Sequence, residues 1–198
     1  MDRDLKKGRG RCAVFLDRDG TLNVDRQYVR TPDDVELVRG AADGARMLEE
    51  EGFTLVVVSN QSGIARGYFT EAQAQAVDNR VAELLASSGA HIERSYRCPH
   101  LPGAPLALYA TACDCRKPLP GMILQAAREL NLDLACSWAI GDRARDVAAG
   151  IAAGCKAVAV APSPPCDEPE DFSAAMPEYI ARDLRDAARY VIAHATCP

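Results

Sequence analysis

The sequence has no long apolar run, no excess of positive charge and too few cysteines for a disulfide-built scaffold, and each lack excludes a class of protein. The charged opening MDRDLKKGRGR leads into only five apolar residues, Cys12 to Leu16. Five are too few for the apolar region of a signal peptide or for a membrane span, so a cytoplasmic chain with no membrane partner is expected. A net charge of -5 and a pI near 5.3 argue against a nucleic-acid partner, which normally meets a basic face. A small anionic substrate stays compatible if it meets local positive charge. Eight cysteines in 198 residues fall below disulfide-scaffold density, and in a reducing compartment clustered cysteines read first as metal ligands. Internal repeats and low-complexity tracts are also missing. At 48% hydrophobic and 26% charged residues the usage is ordinary for a globular protein, and the length suits one core. We therefore expect a single domain and a monomer.

What the chain does have is a series of short apolar runs with helical stretches between them, the pattern of an α/β fold: a Rossmann-like parallel sheet with helices on both faces. The expected strands are 12–16, 54–59, 95–98, 137–141 and 156–160. TLVVVS (54–59) shows no polar alternation, as a central strand buried on both faces requires. The clearest helix runs from Thr70 to Gly89. Thr70 and Gln73 form a capping box, Ala74, Val77, Val81, Leu84 and Leu85 share a face, and Gly89 lies at the C-terminal end. Weaker helices are expected over about 40–51, 121–131, 143–152 and 178–193. The core then spans about 12–160, and the Pro-rich, acidic stretch 161–172 is a linker. A last helix within 173–198 docks on the body through Ile180, Leu184, Ala188, Val191 and Ile192.

Polar residues follow the apolar strands where sites of open α/β sheets lie, beyond the carboxyl ends. VFLDRDGTLN places Asp17 and Asp19 after the first strand, SNQSG places Ser59 after the second, RKP supplies Lys117, and GDRARD supplies Asp142 and Asp146. Parallel, adjacent strands would bring these six side chains into one crevice. Four carboxylates together repel one another unless a cation sits among them, and hard oxygen ligands suit Mg²⁺. Mg²⁺ on Asp17 and Asp142, with Lys117 and the Ser59 hydroxyl close by, would neutralise a phosphate and leave a carboxylate free to attack it. Asp19 is placed to protonate the leaving oxygen and then activate water. Asp146, on an early helical turn, is expected to have an orienting role, the plainer alternative being that it only pairs with Lys117 or favours the helix dipole.

A second cluster precedes the lysine. Cys98, His100, Cys113 and Cys115 offer three thiolates and one imidazole, a closed tetrahedral zinc shell with no position for water. Such a shell is structural: it would pin the loop so that Arg116 and Lys117 enter the site at fixed positions. The forked donors of Arg116 suit a second anionic group on the substrate. Arg66 could add charge or be a solvated loop residue. Cys12, Cys136, Cys155 and Cys166 read as buried or incidental thiols.

The order DxDGT, an apolar strand ending in Ser, Lys-Pro, and GDxxxD resembles the haloacid dehalogenase superfamily of phosphatases. The resemblance covers about residues 12–160. It implies that Asp17 is the nucleophile and Asp19 the acid/base, with Mg²⁺ on Asp17, the Asp19 main-chain carbonyl and Asp142, and with Ser59 and Lys117 holding the phosphate. Within the superfamily, FLDRDGTLN, VVVSNQSGIARGYFTEAQ, CDCRKPLPGM and GDRARDVAAG resemble the heptose 1,7-bisphosphate 7-phosphatase family, which has the zinc loop and no large cap domain. That likeness implies a small phosphorylated sugar as substrate and assigns Asn60, Gln61 and Arg116 to its contacts. Histidinol-phosphate phosphatase, a relative with the same loop, is the alternative enzyme. A non-catalytic zinc-held module has no need of Asp17, Asp19, Lys117 and Asp142 together.

Overall fold

The computed structural model describes residues 10–161 and 170–195. The apolar runs form β1 (Ala13–Leu16), β2 (Thr54–Asn60), β3 (Ile92–Cys98), β4 (Trp138–Gly141) and β5 (Lys156–Val160), and a short β6 (Tyr179–Ala181) follows. The helices are α1 (Ala41–Glu50), the one-turn α2 (Ser62–Ala65), α3 (Glu71–Ala86), α4 (Gly121–Leu130), α5 (Ala144–Ala153) and α6 (Leu184–His194). All six strands are parallel, in the order β3-β2-β1-β4-β5-β6. The chain leaves β1 toward β2 and β3, then returns to the other side of β1 through β4. The sheet therefore reverses direction beside β1, where ligand crevices of such sheets open.

Alternation along each strand divides the core into two layers. Val14, Leu16, Leu55, Val57, Trp138, Ile140, Val158 and Val160 pack with Leu48 of α1, Leu85 of α3 and Leu184 and Val191 of α6. Ala13, Phe15, Val56, Val58, Ala139, Ala157 and Ala159 pack under Met122 and Ile123 of α4 and Val147 of α5. Each of the larger side chains contributes about 1.5–3 kcal/mol on burial. Gly44 sets the contact of α1 with α6: a Cβ there would run into the Leu184 main chain.

The expected strands and the Thr70 cap are present; Thr70 Oγ1 accepts from the Gln73 N–H at 3.2 Å. β3 begins earlier than expected, at Ile92. The final helix begins later, because residues 179–181 pair with β5 and Asp183, accepting from the Asp186 N–H at 2.8 Å, caps a helix that starts at Leu184. Ile180 is accordingly an exposed strand residue, while Leu184, Ala188 and Val191 are buried and Ile192 is partly buried against the core. Most of the expected linker lies outside the described residues, as does Cys166.

Cys12 and Cys136 are joined in a disulfide, against the expectation of thiols. One precedes β1 and the other ends the turn before β4, so the pairing of these strands brings them together. Cys155 is a buried free thiol. No helix among the described residues is long and apolar enough to cross a membrane.

Candidate active site

Asp17 follows the last residue of β1, and its N–H donates to Ile140 O of β4 at 2.9 Å, which fixes the carboxylate at the reversal of the sheet. Lys117 reaches it from 100 residues away: Nζ donates to Asp17 Oδ1 at 2.6 Å and to Val58 O at 2.6 Å, and lies 2.8 Å from Asp146 Oδ1. The lysine is 3% exposed. Burial opposes its charge, but Asp146 and Asp17 outweigh that and hold its pKa above the ordinary lysine value. Asp146 also accepts from the Arg143 N–H at 3.0 Å and so caps α5 while orienting the lysine, two duties for one carboxylate.

Asp17, Asp142 and Asp146 bring carboxylate oxygens within 4.8 Å of one another. Burial, then Asp146, raises Asp17 to about 6 against the pull of Lys117. Burial, then Asp17 and Asp146, raises Asp142 to about 8. Asp142 Oδ1 is buried with no hydrogen-bond partner, and Gly20 (φ 90°) lies so close to this carboxylate that a Cβ would strike it. An orphaned buried oxygen among hard, mutually repelling donors is the setting that a divalent cation satisfies. Asp17 and Asp142 fit Mg²⁺; Asp146 is committed to Lys117.

Asp19 is held differently. Arg18 Nε donates to its Oδ1 at 3.2 Å and Nη2 to its Oδ2 at 2.9 Å, with Asn23 Nδ2 at 3.0 Å and Gln61 Nε2 at 2.8 Å. Burial would raise its pKa, but Arg18, Asn23 and Gln61 hold it below the usual carboxylate range. Gln61 Nε2 donates to Ser59 Oγ as well, at 2.8 Å. Asn60 exchanges two bonds of 3.0 Å with the Lys117 main chain. Both amides line the cavity, yet both position neighbouring site residues.

In the zinc-type cluster the separations are 3.1 Å (Cys98–Cys115), 3.2 Å (Cys113–Cys115) and 3.5 Å (Cys98–Cys113) between sulfurs, with His100 Nδ1 3.4 Å from Cys115 Sγ and 3.7 Å from Cys98 Sγ. These approach the edges, about 3.7 Å, of a tetrahedron with metal–sulfur bonds of about 2.3 Å. Burial pushes the Cys98 and Cys115 thiols up, a cost that a bound cation removes. The donor set and its size fit Zn²⁺. The cluster roots the loop in β3, where Cys98 O accepts from the Gln61 N–H at 2.8 Å.

A cavity of about 200 Å³ opens over Asp17 and Asp19, lined also by Ser59, Asn60, Gln61 and Arg116. Arg116 donates to His100 O at 3.2 Å, so the zinc-type loop sets its direction. Asp25, Gln27, Tyr28, Ser62, Gly63 and Arg145 complete the lining and were not expected from the sequence. The Arg143 and Arg145 pair in GDRARD was a readable signal, since it follows a metal-type aspartate; Gln27 was not, being placed by its own φ of 65° and by the Asp25 Oδ1 turn bond of 2.7 Å. Arg66 is exposed at the end of α2 and outside the cavity.

A family model described as HAD-hydrolase-like matches residues 114–187. The D-glycero-beta-D-manno-heptose-1,7-bisphosphate 7-phosphatase of Yersinia pestis is 49% identical over 141 residues, 71% of this chain and 75% of that protein. The chain belongs to this family. Its Escherichia coli K12 member is 47% identical, with 71% of this chain and 74% of that protein covered. The solved D,D-heptose 1,7-bisphosphate phosphatase of B. bronchiseptica, complexed with magnesium and phosphate, superposes with a TM-score of 0.77 at 32% identity over 93% of this chain and 99% of that one. As a member of the heptose bisphosphate phosphatase family the chain is a phosphoric monoester hydrolase of HAD-like α/β fold, and no large cap domain occurs among the described residues.

Proposed function

We propose that the chain removes the 7-phosphate of D-glycero-D-manno-heptose 1,7-bisphosphate through a phosphorylated Asp17. The carrying observation is that Asp17, paired with the buried Lys117, lines a cavity that Arg116 and Arg145 also line. Lysine beside the nucleophile neutralises a terminal phosphate; arginines in the cavity lining suit a second one, which a sugar bisphosphate has and a substrate with a single phosphate lacks.

In the first half-reaction an Asp17 oxygen attacks phosphorus in line, the bond from phosphorus to the sugar oxygen breaks, and Asp19 delivers the proton to that oxygen. The substrate's negative charge beside Asp19 favours its protonated form, offsetting the hold of Arg18. In the second, Asp19 takes a proton from water as the water attacks phosphorus, and the Asp17–phosphorus bond breaks to release inorganic phosphate. Ser59 and Lys117 hold the phosphoryl oxygens throughout. Asp17, Asp142 and the Asp19 main-chain carbonyl would hold Mg²⁺, which supplies further neutralisation of the transferring group. Cys98, His100, Cys113 and Cys115 would hold Zn²⁺, which fixes the loop.

Comparing kcat/KM for heptose 1,7-bisphosphate with that for histidinol phosphate tests the reading. We expect a preference for the bisphosphate of several hundredfold, roughly 3–4 kcal/mol in the transition state. The reverse preference would reassign the substrate and leave the aspartate mechanism standing.

A further inference from the structure

Arg18, between the two site aspartates, is 1% exposed, and its guanidinium is shared between two carboxylates. Nε and Nη2 form the fork on Asp19. Nη1 turns to Asp78 of α3, donating to Oδ1 at 2.7 Å. The other Asp78 oxygen is taken by Arg97 of β3, with Nε at 3.0 Å and Nη2 at 2.8 Å, and Arg97 Nη2 is itself held by Gln75 Oε1 at 2.6 Å. Asp78 thus has both oxygens engaged by arginine, and its side chain is 4% exposed. Burying Arg18 and Asp78, with Arg97 largely covered beside them, is costly where apolar side chains would fill the space. The arrangement makes sense if the geometry it imposes on Arg18 is itself needed.

Arg18 alone would be a long side chain tied at one end to the group it holds. With Nη1 locked on Asp78, the plane of the guanidinium is set from outside the site, and the fork then sets the plane of the Asp19 carboxylate. Arg97 is paired with Ser59 across the β2–β3 ladder, so the clamp shares its strand position with the site serine.

We propose that Asp78, backed by Arg97, is a positioning residue that acts through Arg18 to aim the Asp19 carboxylate at the leaving oxygen. The inference rests on the acid/base reading of Asp19 above. It gives α3 a part in catalysis, although α3 contributes no side chain to the cavity.

The test exploits the leaving group. The parameter kcat/KM reports steps up to formation of phosphorylated Asp17, where an alkoxide needs its proton and nitrophenolate does not. Asp78→Asn, which keeps shape and removes charge, is expected to lower kcat/KM for the sugar bisphosphate by about 10- to 100-fold, a sizeable part of what general acid catalysis supplies, and that for p-nitrophenyl phosphate by less than about threefold. Arg97→Gln, at a side chain 15% exposed and less demanding of the fold, is expected to show the same split with a smaller amplitude. Asp19→Asn serves as reference. If it shows no split, the role of Asp19 fails and the proposal fails with it; if Asp19→Asn shows the split while both substrates fall equally, or not at all, in folded Asp78→Asn and Arg97→Gln, the clamp alone is overturned. Should Asp78→Asn not fold, Arg97→Gln decides by the same criterion.

Discussion

Lys117 Nζ and Asp17 Oδ1 stand 2.6 Å apart in a site where the lysine is 3% and the aspartate 5% exposed. A pair so desolvated is conditionally stable, and not symmetrically: removing the lysine uncovers buried carboxylates, whereas removing Asp17 leaves the lysine paired with Asp146 at 2.8 Å.

Lys117→Met is therefore expected to cost both chemistry and stability. If Lys117 holds the phosphate as proposed, its loss should lower kcat/KM by about 100-fold or more. Asp17 and Asp146 lose their shared partner, and the metal-free protein should lose about 3–5 kcal/mol. Steady-state kinetics and denaturant unfolding in chelator check the two effects separately.

Asp17→Asn should behave in the opposite way toward stability. It removes a carboxylate whose ionisation is opposed by burial and by Asp146. We expect no phosphate release and no phosphorylated protein, with a metal-free melting temperature above pH 7 that matches or exceeds the parent's. Retained turnover would remove Asp17 as nucleophile.

The carboxylate cluster also sets a pH dependence. Asp17 is raised to about 6 and Asp142 to about 8, from 3.8 in the unfolded chain. The folded state holds these protons more tightly, so the contribution of the two groups to metal-free stability is greatest at low pH and falls as pH rises from about 4 to 8. Mg²⁺ needs both groups ionised and meets less proton competition at the upper end. The rise in melting temperature on adding Mg²⁺ should therefore grow between about pH 5.5 and pH 8.5. A rise that shrinks over that range would contradict the assignment of Asp17 and Asp142 as ligands.

Cys113→Ser tests the second metal. Unlike Cys98, which is fully buried in the core, Cys113 is partly exposed in the loop, so its loss should spare the sheet. Bound zinc, measured by elemental analysis, should fall below about one per chain, and protease should cut sooner between residues 99 and 112. Activity should drop through misplacement of Arg116 and Lys117.

The parts of this molecule that could be read in advance are those whose meaning is local. β1, β2, β4 and β5 are runs of apolar residues too short for buried helices, and Asp17, Ser59 and Asp142 stand at their carboxyl ends. β6 escaped because three residues, two of them exposed, carry no pattern. The Cys12–Cys136 link escaped because its partners are 124 residues apart and meet only through the strand order. Arg18 escaped because an arginine between two aspartates reads as a solvated charge. Asp78 was within reach: it lies four residues after Ala74 and three before Val81, on the buried face of α3, where an unpartnered carboxylate would not be tolerated.

The strand order has one more consequence. Ser59 lies at the end of β2, Lys117 precedes α4 and Asp142 follows β4, and β1 gains its second neighbour only when β4 arrives, after Ser59 and Lys117 and just ahead of Arg145 and Asp146. During synthesis, the ribosome has released Asp17 long before a partner for it exists. A chain stopped short of Asp142, or nicked ahead of it, holds scattered carboxylates that have no common address for a phosphate. Hydrolytic competence thus arrives late, with β4 and the helix that follows it, and an incomplete copy is silent rather than indiscriminate.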